Sequence, residues 1–510
     1  MVKTRHRSFA WHLVAASIIL LGFALRVHNL SARSLWFDEA MEYWVASASL
    51  PGLLATVKMA IQDPPLYSFL LHFWMKVGQN EFGLRFMSLS FSIIGMLGIM
   101  TLGKLSSGKA VGLIAVLLVA FSPPDIRFAQ EVGQYALMAC ALSWNLVFLY
   151  LALTRNLWRW WILWGVSALV GVYSYYGTVI IMVATASVGF VYCLAAKKRD
   201  VLLKQAVAGS ICGVFVLPLV LGWLPAQLFR GPTTKAFQVS VNPYVVELLR
   251  FLRQSKDLAT YQLMGHQTYG WPWPAVPEPM VWVPFLVALV PGVIKLKSVY
   301  ISVWFILCYL AYYFAGRFGA YPFGGRHSLI LLPLLVVTIA AGVFSIRRFN
   351  LVVGAAVLGA ILSVCVLAPS EPQEDLRTIA RFWLANRELD QATYVYYGAV
   401  PGFRYQLNLA DGTPGTVPPT WYVDCWRGAP ASYCSQDGIF YGRWIRSLTP
   451  DQKRVSILQT TGSAPDRMWM IFSHVHPHED QEILVAFEQD YKLVLSQQAV
   501  NASAYLLERR

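Results

Sequence analysis

The sequence of 510 residues has few acidic residues. Only 27 residues are Asp or Glu, against 41 Lys and Arg, and charged residues make up 13% of the chain while hydrophobic residues make up 56%. Soluble domains carry about 25% charged residues, so this balance excludes a soluble two-domain enzyme. Disorder is excluded as well, because 14% of the residues are aromatic. The net charge of +14 therefore reflects scarce acids more than abundant bases.

Cysteine is also scarce. None of the seven cysteines has the spacing of a zinc site. Five of them lie in apolar stretches and are interpreted as small core residues. Cys425 and Cys434 lie close together in a polar segment. They are a candidate disulfide if that segment faces an oxidising compartment.

Long apolar runs, in contrast, are abundant. A transmembrane helix needs about 20 mostly apolar residues, and the sequence contains eleven candidate spans, of which the third and eighth are short. The first is interpreted as a retained anchor rather than a signal peptide, because no small-residue cleavage site follows it. The spans are expected at residues 11–27, 84–103, 111–122, 135–153, 160–177, 178–195, 206–224, 280–294, 299–315, 329–345 and 351–369.

Lys and Arg mark one side of the predicted membrane. They cluster at the N-terminus and in alternate short loops, at 104–109, 155–159, 197–204, 295–297 and 347–348. Cytoplasmic loops are enriched in Lys and Arg. The N-terminus is therefore predicted to be cytoplasmic, and an odd number of spans places residues 370–510 outside. We expect a multi-pass protein of the inner (plasma) membrane.

Composition divides the chain after residue 369. Residues 1–369 hold 28 bases and 11 acids, and they are predicted to form a transmembrane domain. Residues 370–510 hold 13 bases and 16 acids, which predicts a small soluble extracytoplasmic α/β domain. A helix at 371–389 and strands at 393–397, 468–474 and 491–507 are expected there. The extracytoplasmic loops of the first domain are expected at 28–83, 122–135, 225–279 and 316–328.

Ten of the eleven acids in residues 1–369 lie in loops predicted to face outward, which indicates an acidic site on that side. The alternative is that long outward loops simply hold more polar residues. Asp38 and Glu39 follow the first span and are flanked by aromatic residues. Partial desolvation there would raise the pKa of a carboxyl group and make it a better general base. The alternative is that Asp38 caps a helix at 39–48.

Asp63 and Glu131 belong to two further acidic clusters. Asp63 precedes two prolines and is equally compatible with a helix cap. Glu131 lies where a loop re-enters a span, a depth at which an unpaired carboxylate is costly and usually has a function. An ion pair with Arg127, one helical turn away, is the structural alternative.

Basic residues in outward loops are candidates for binding an anion. Arg317 and Arg326 flank a loop between two spans, and Arg326 is placed to bind a phosphate with two hydrogen bonds at the membrane surface. An interfacial anchor that snorkels is the alternative. Lys256 adds positive charge to the long loop. His266 lies in the same loop, and for a lone loop histidine a structural role is favoured over metal binding.

Several short motifs occur in order along the chain. They are SLWFDEA at 34–40 after Arg26, DPPLY at 63–67, FGLR at 82–85, SP at 122–123 with QE at 130–131 and Tyr135, and GR at 325–326 before a span. Together they resemble bacterial glycosyltransferases of the GT-C class, namely family-39-like enzymes related to protein O-mannosyltransferases and lipid A aminoarabinose transferases. The resemblance covers residues 1–345. Asp63 stands where the family has His, and residues 132–134 replace Ala-Arg-Pro.

The resemblance implies a GT-C fold and an inverting transfer. A sugar would move from a polyprenyl-phosphate donor to a hydroxyl of a lipid, glycan or protein acceptor on the extracytoplasmic side. Asp38 matches the family's catalytic acid position and would act as general base, with Glu39 and Glu131 orienting the acceptor or the base. Arg326, Arg317 and Lys256 would bind the donor phosphate, and Asp63, Tyr67, Gln130, Tyr135 and His266 would contact the substrates.

No cofactor is firmly expected besides the lipid-linked donor substrate. Some GT-C enzymes use a divalent metal that bridges carboxylates and phosphate, and this sequence leaves metal use open. His474, His476 and His478 alternate as on one strand face. We interpret them as a solvated strand end rather than a metal site, because no partner ligands are evident.

Two other functions compete with this interpretation. One is an oligosaccharide or polymer ligase of the same fold. The other is a non-enzymatic transporter of lipid-linked sugars, which would be expected to show inverted repeats and charges near midspan. Here the charges lie in one-sided loops and no repeat is visible. Nucleic acid is not an expected partner, because the bases mostly fix orientation and meet lipid phosphate.

Overall fold

The computed structural model describes residues 2–60, 63–228, 288–294, 299–317, 325–345, 373–388, 390–411, 434–462 and 464–510. The helices are α1 (Val2–Val27), α2 (Phe37–Ser47), α3 (Leu50–Ala60), α4 (Leu66–Trp74), α5 (Glu81–Ser107), α6 (Lys109–Ala120), α7 (Pro123–Ala129), α8 (Tyr135–Arg155), α9 (Trp158–Ser174), α10 (Thr178–Ala195), α11 (Arg199–Pro218), α12 (Leu224–Leu228), α13 (Val299–Arg317), α14 (Leu332–Ser345), α15 (Leu376–Asn386), α16 (Val400–Asp411), α17 (Pro450–Thr460) and α18 (Glu479–Phe487). A π-helical turn (Leu219–Trp223) joins α11 to α12, and a 3₁₀ helix (Gly325–Leu331) precedes α14. The strands are β1 (Ala392–Val395), β2 (Ser435–Gln436), β3 (Ile439–Tyr441), β4 (Arg467–Ser473), β5 (Tyr491–Ala499) and β6 (Ala502–Arg509).

The chain divides into two compact units. The first, here called the helical unit, comprises Met1–His28, Ile61–Tyr67 and Arg85–Pro369. The second, here called the sheet unit, comprises Asn29–Ala60, Ser68–Leu84 and Ser370–Arg510. The sheet unit therefore contains α2 and α3, although these helices follow the first apolar span directly in sequence.

Six helices among the described residues are long and apolar enough to cross a membrane, or seven spans if the bent pair α6–α7 counts as one. They coincide with the spans predicted at 11–27, 84–103, 135–153, 178–195, 206–224 and 329–345. Helices α9 and α13 occupy the positions of the spans predicted at 160–177 and 299–315. The span predicted at 351–369 lies outside the described residues, as does most of that at 280–294, so the total of eleven remains a prediction.

The third predicted span, at 111–122, differs from a straight helix. Helix α6 ends at Ala120, and α7 continues at an angle of 63° to it. Pro123 and Pro124 have no backbone N–H to continue the ladder of α6, whereas proline fits the first turn of a new helix. The helix therefore extends beyond the predicted span only on the N-terminal side, where it begins at Lys109.

A buried ion pair connects four elements of the helical unit. The Arg26 side chain of α1 is fully buried, and its Nη2 donates to Asp125 Oδ2 of α7 at 2.6 Å. The same guanidinium donates to Ser92 Oγ of α5 at 2.8 Å and to three backbone carbonyls of α1 and α6 at 2.9–3.1 Å. Ser92 Oγ also donates to Asp125 at 2.9 Å. Arg26 and Asp125 thus have a structural role that satisfies both charges.

The sheet unit contains a six-stranded mixed sheet in the order β2-β3-β1-β4-β6-β5. Strand β1 pairs in parallel with β3 and β4, while β4–β6 and β5–β6 pair antiparallel. Strands β1 and β4 correspond to the strands predicted at 393–397 and 468–474, and α15 lies within the helix predicted at 371–389. The single strand predicted at 491–507 is wrong, because β5 and β6 form a hairpin. Its turn contains Asn501 with φ of 48°, a conformation that Asn tolerates.

Helices cover both faces of this sheet. Alternate side chains of β4 point to opposite faces, so Trp469 and Ile471 pack with α15 and α16, and Met470 and Phe472 pack with α17 and α18. Residues on both faces of β4 are therefore buried, as is typical of a sheet between two helical layers.

Candidate active site

Asp38 and Glu39 lie in the first turn of α2, in the sheet unit. The N-cap of α2 is Trp36, so the alternative that Asp38 caps this helix is wrong. The capping contact is made by Glu39, whose Oε2 accepts from the Trp36 N–H at 3.4 Å, and Glu39 is 1% exposed. Asp38 is half-buried. The two adjacent carboxylates therefore differ in their surroundings. Glu39 is buried and bonded to the backbone at the start of the helix, whereas Asp38 is partly exposed to solvent.

Glu42 is an acid that sequence reasoning did not place in the site. It follows Asp38 by four residues on α2, so the two carboxylates lie on one face of the helix. Glu42 is buried, and Ser68 Oγ donates to its Oε2 at 2.8 Å. The spacing of four between two acids on an amphipathic segment is the sequence signal that could have found it.

Arg326 and Tyr135 come together in the helical unit. The Arg326 guanidinium lies 5.7 Å from the centre of the Tyr135 ring, within the range of a cation–π contact. Arg326 follows Gly325, whose φ of +52° suits glycine at the start of the 3₁₀ turn. The charges of Arg326, Asp63 and Glu131 all act on the Tyr135 hydroxyl. Tyr135 is therefore in contact with one cation and within electrostatic reach of two acids.

Glu131 forms an ion pair with Arg127, as its structural alternative predicted, but the distance is long. Arg127 Nε lies 3.9 Å from Glu131 Oε2, beyond hydrogen-bond distance. The Glu131 side chain is 7% exposed.

Three other predicted substrate contacts lie in the helical unit and make structural hydrogen bonds. The Asp63 carbonyl accepts from Gln227 Nε2 at 3.1 Å, and α4 begins three residues later. The Tyr67 hydroxyl lies 2.8 Å from Ser88 Oγ. Gln130 Nε2 donates to the Arg26 and His28 carbonyls at 3.0 and 2.9 Å, which satisfies the free carbonyls at the end of α1.

His327 and Tyr175 extend the cluster around Arg326. The Tyr175 hydroxyl contacts His327 Nδ1, and the two rings stack at 6.2 Å. Tyr175 also lies edge-on to Tyr135 at 5.6 Å. His327 directly follows Arg326, so this contact fixes the backbone that carries the guanidinium. Only the adjacency of His to Arg in the sequence hinted at this role.

The remaining predicted residues are partly outside the described part of the chain. Lys256 and His266 lie outside it, and so does Cys425. Arg317 is the last residue of α13 and is half-buried. Cys434 is buried and disulfide-bonded. Within the ranges that the structure describes, no group of three or more His, Cys, Asp or Glu is arranged to hold a metal ion.

Comparison with known proteins adds independent information. Residues 62–225 match the family model for dolichyl-phosphate-mannose-protein mannosyltransferase. The chain is also similar to the solved structure of ArnT from Cupriavidus metallidurans in the apo state, with 11% sequence identity, a TM-score of 0.53 and coverage of 98% of both chains. No curated protein matches it.

A second solved structure has a related architecture. It is the Archaeoglobus fulgidus oligosaccharyltransferase tethered to an acceptor peptide, with 10% identity, a TM-score of 0.50 and coverage of 97% of this chain and 74% of that one. At such identities the likeness concerns the fold. The chain has the fold of the GT-C glycosyltransferases, which confirms the resemblance of its motifs. The match to the mannosyltransferase family model covers residues 62–225, which is less than half of the chain.

Proposed function

We propose that this protein is an integral-membrane inverting glycosyltransferase that moves a sugar from a polyprenyl-phosphate donor to a hydroxyl group of a lipid, glycan or protein. Asp38 acts as general base on the acceptor hydroxyl. Glu131 and Glu39 orient the acceptor or the base. Arg326 stabilises the phosphate that leaves, with Arg317 and Lys256 adding positive charge.

The observation that carries the proposal is the contact of the Arg326 guanidinium with the Tyr135 ring, within electrostatic reach of Asp63 and Glu131, in a chain with the GT-C fold. A polyprenyl phosphate leaves as an anion, so the reaction needs a fixed cation and no general acid. A guanidinium binds phosphate through two parallel hydrogen bonds. The family description of residues 62–225 supports a lipid-phosphate sugar as the donor.

We further propose an orientation. The N-terminus and the Lys- and Arg-rich loops face the cytoplasm, residues 1–369 form the transmembrane domain, and residues 370–510 form an extracytoplasmic domain. The disulfide of Cys434 supports an oxidising environment for that segment. Cys425 is the proposed partner of Cys434. The protein then works at the inner membrane, where lipid-linked donors are presented to acceptors of the cell envelope.

Arg326→Ala is expected to weaken binding of a polyprenyl phosphate by about 10- to 100-fold, because hydrogen bonds to a charged group contribute about 1.5–3 kcal/mol. Arg326→Lys should recover only part of this loss, since an ammonium group cannot bind phosphate in the two-pronged way of a guanidinium. The measurement is the Kd of undecaprenyl phosphate for the purified protein in detergent. Arg199→Ala, in the loop predicted to be cytoplasmic, is the matched control. Equal affinity of Arg326→Ala and the control would sink the phosphate role of Arg326.

The orientation is tested by a thiol reagent that does not cross membranes. A cysteine introduced at the exposed Gln481 of α18 should react in intact cells, whereas one at Arg199 should react only after permeabilisation. Wild-type protein gives the background from its own cysteines. Labelling in the opposite sense would contradict the orientation and, with it, an extracytoplasmic reaction.

A ligase of the same fold is the second candidate, because the A. fulgidus structure to which the chain is similar is an oligosaccharyltransferase tethered to an acceptor peptide. The two functions differ in the donor. A transferase uses a single sugar on a polyprenyl phosphate, and a ligase uses a preassembled oligosaccharide on its lipid carrier. Mass spectrometry of lipids and glycans that co-purify with the protein would separate them. A bound lipid-linked sugar with no transfer activity in any assay would favour a transporter.

A further inference from the structure

We infer that Glu374 and His474 of the C-terminal sheet region are positioning residues for Asp38. The inference rests on the proposed function of Asp38 as base. Both residues contact Phe37, the first residue of α2 and the immediate neighbour of Asp38, within the sheet unit. They would make the C-terminal region part of the apparatus that orients the base rather than an accessory domain.

Glu374 holds the backbone of the first turn of α2. Its Oε2 accepts from the Phe37 N–H at 3.0 Å, and Glu374 is 5% exposed. The first N–H groups of a helix have no partner inside the helix. A carboxylate at this end is also favoured by the helix dipole. Glu374 therefore acts as an N-terminal cap supplied by a segment more than 300 residues away in sequence.

His474 holds the side chain of the same residue. Its ring stacks on the Phe37 ring at 4.5 Å with an interplanar angle of 17°. Its Nδ1 lies 2.8 Å from Glu374 Oε1, so Nδ1 carries the proton and donates to the carboxylate. Glu374 thus binds the Phe37 N–H, His474 stacks on the Phe37 ring, and Glu374 and His474 are hydrogen-bonded to each other.

The sheet in turn fixes the positions of Glu374 and His474. Strand β1 lies between β3 and β4 in the sheet. The chain adds β3 on one side of β1 and later adds β4 on the other side. The direction in which strands are added therefore reverses between β1 and β4. His474 directly follows β4 at this point, with φ of +55°. A Cβ atom at Gly398, beyond the end of β1, would lie 2.7 Å from the Ser473 carbonyl oxygen, which shows how closely the two strand ends approach. Open α/β sheets bind ligands at such a crevice. Here the crevice binds the start of α2.

Glu374 is also anchored on its other side. Its carbonyl accepts from Ser34 Oγ at 2.6 Å, and the next residue, Asp375, caps α15 by accepting from Thr378 N at 3.2 Å. The backbone on both sides of Glu374 is therefore tied to ordered elements. A side chain held in this way can transmit the position of the sheet to the first turn of α2, where Asp38 is the second residue.

The test compares Glu374→Ala with the parent in a transfer assay on purified protein in proteoliposomes. We expect kcat to fall by about 10- to 100-fold, as for a misplaced catalytic group, while KM for the donor changes by less than about twofold. Glu374→Gln should lie between the two, because its amide oxygen still accepts from Phe37. Glu508→Gln is the matched control, since Glu508 is an ion-paired carboxylate of β6 whose partners are Arg467 and Lys492.

To distinguish a purely structural role of Glu374 from a role that acts through Asp38, Glu374→Ala is also made in an Asp38→Asn background. If Glu374 acts through Asp38, Glu374→Ala should slow the residual rate of that variant by less than about twofold. The same loss in both backgrounds, or a wild-type kcat for Glu374→Ala while Asp38→Asn is inactive, overturns the inference and leaves the proposed function standing. Full activity of Asp38→Asn itself would overturn both the base assignment and the inference.

Hydrogen exchange gives a readout that does not need activity. In Glu374→Ala the amide groups at the start of α2 should exchange faster than in the parent, because the Phe37 N–H loses its acceptor. His474→Phe keeps a ring to stack on Phe37 but loses the hydrogen bond to Glu374, and it should give a smaller increase. Unchanged exchange at 37–40 in Glu374→Ala, with Glu508→Gln as reference, contradicts the inference.

Discussion

Asp38→Asn is expected to lower the rate of sugar transfer by about 10²- to 10⁴-fold, the range that general-base catalysis contributes. Asparagine has the shape of aspartate but cannot accept the proton of the acceptor hydroxyl. Because Asp38 lies in the first turn of α2, the variant should lose only about 0.3–1 kcal/mol of stability from the helix dipole. The measurement is the initial rate with labelled donor and acceptor, with the purified variant folded and monodisperse.

Asp451→Asn provides the matched control for this change. Asp451 lies in the first turn of α17 and is exposed, so its replacement has the same effect on a helix dipole without removing the proposed base. We expect the control to transfer sugar at the parental rate. Donor binding should be retained by Asp38→Asn, because the phosphate is assigned to Arg326. Parental transfer by Asp38→Asn would remove Asp38 as the base.

Asp38 and Arg326 were selected from the sequence because both have a local signal, and their roles remain predictions. Asp38 follows an apolar span within an aromatic segment, and Arg326 precedes a span directly. Neither local signal indicated which other residues position Asp38 and Arg326. Glu374 and His474 contact Phe37 from positions more than 300 residues away, and no periodicity connects segments at such a separation. Contacts of this kind become visible only when the fold brings the segments together.

Helices were predicted better than their interruptions. Apolar length defined most of the spans, since a membrane helix must satisfy its own backbone hydrogen bonds. The break between α6 and α7 follows from Pro123 and Pro124, which lie at the end of the predicted span and were not used to bend it. Gln130 is predicted to contact the substrates, and the structure adds a contact that the sequence did not indicate, because its amide donates to carbonyls at the end of α1. A polar residue near a functional motif can thus also bind the backbone of a neighbouring helix.

Asp125→Leu is expected to destabilise the helical unit by about 3–5 kcal/mol, the cost of leaving a buried charge unpaired. The Arg26 side chain has 0% of its surface exposed and that of Asp125 has 8%, so water cannot replace the lost carboxylate. The measurement is thermal unfolding in detergent, followed by the loss of monodisperse protein.

Asp200→Asn is the control, because Asp200 pairs with Lys204 at an exposed position, and its melting temperature should match the parent. The double variant Arg26→Met with Asp125→Leu should recover much of the loss, since replacing both charges leaves none unpaired. Equal melting temperatures of Asp125→Leu and Asp200→Asn would show that the pair does not hold α1 against α7.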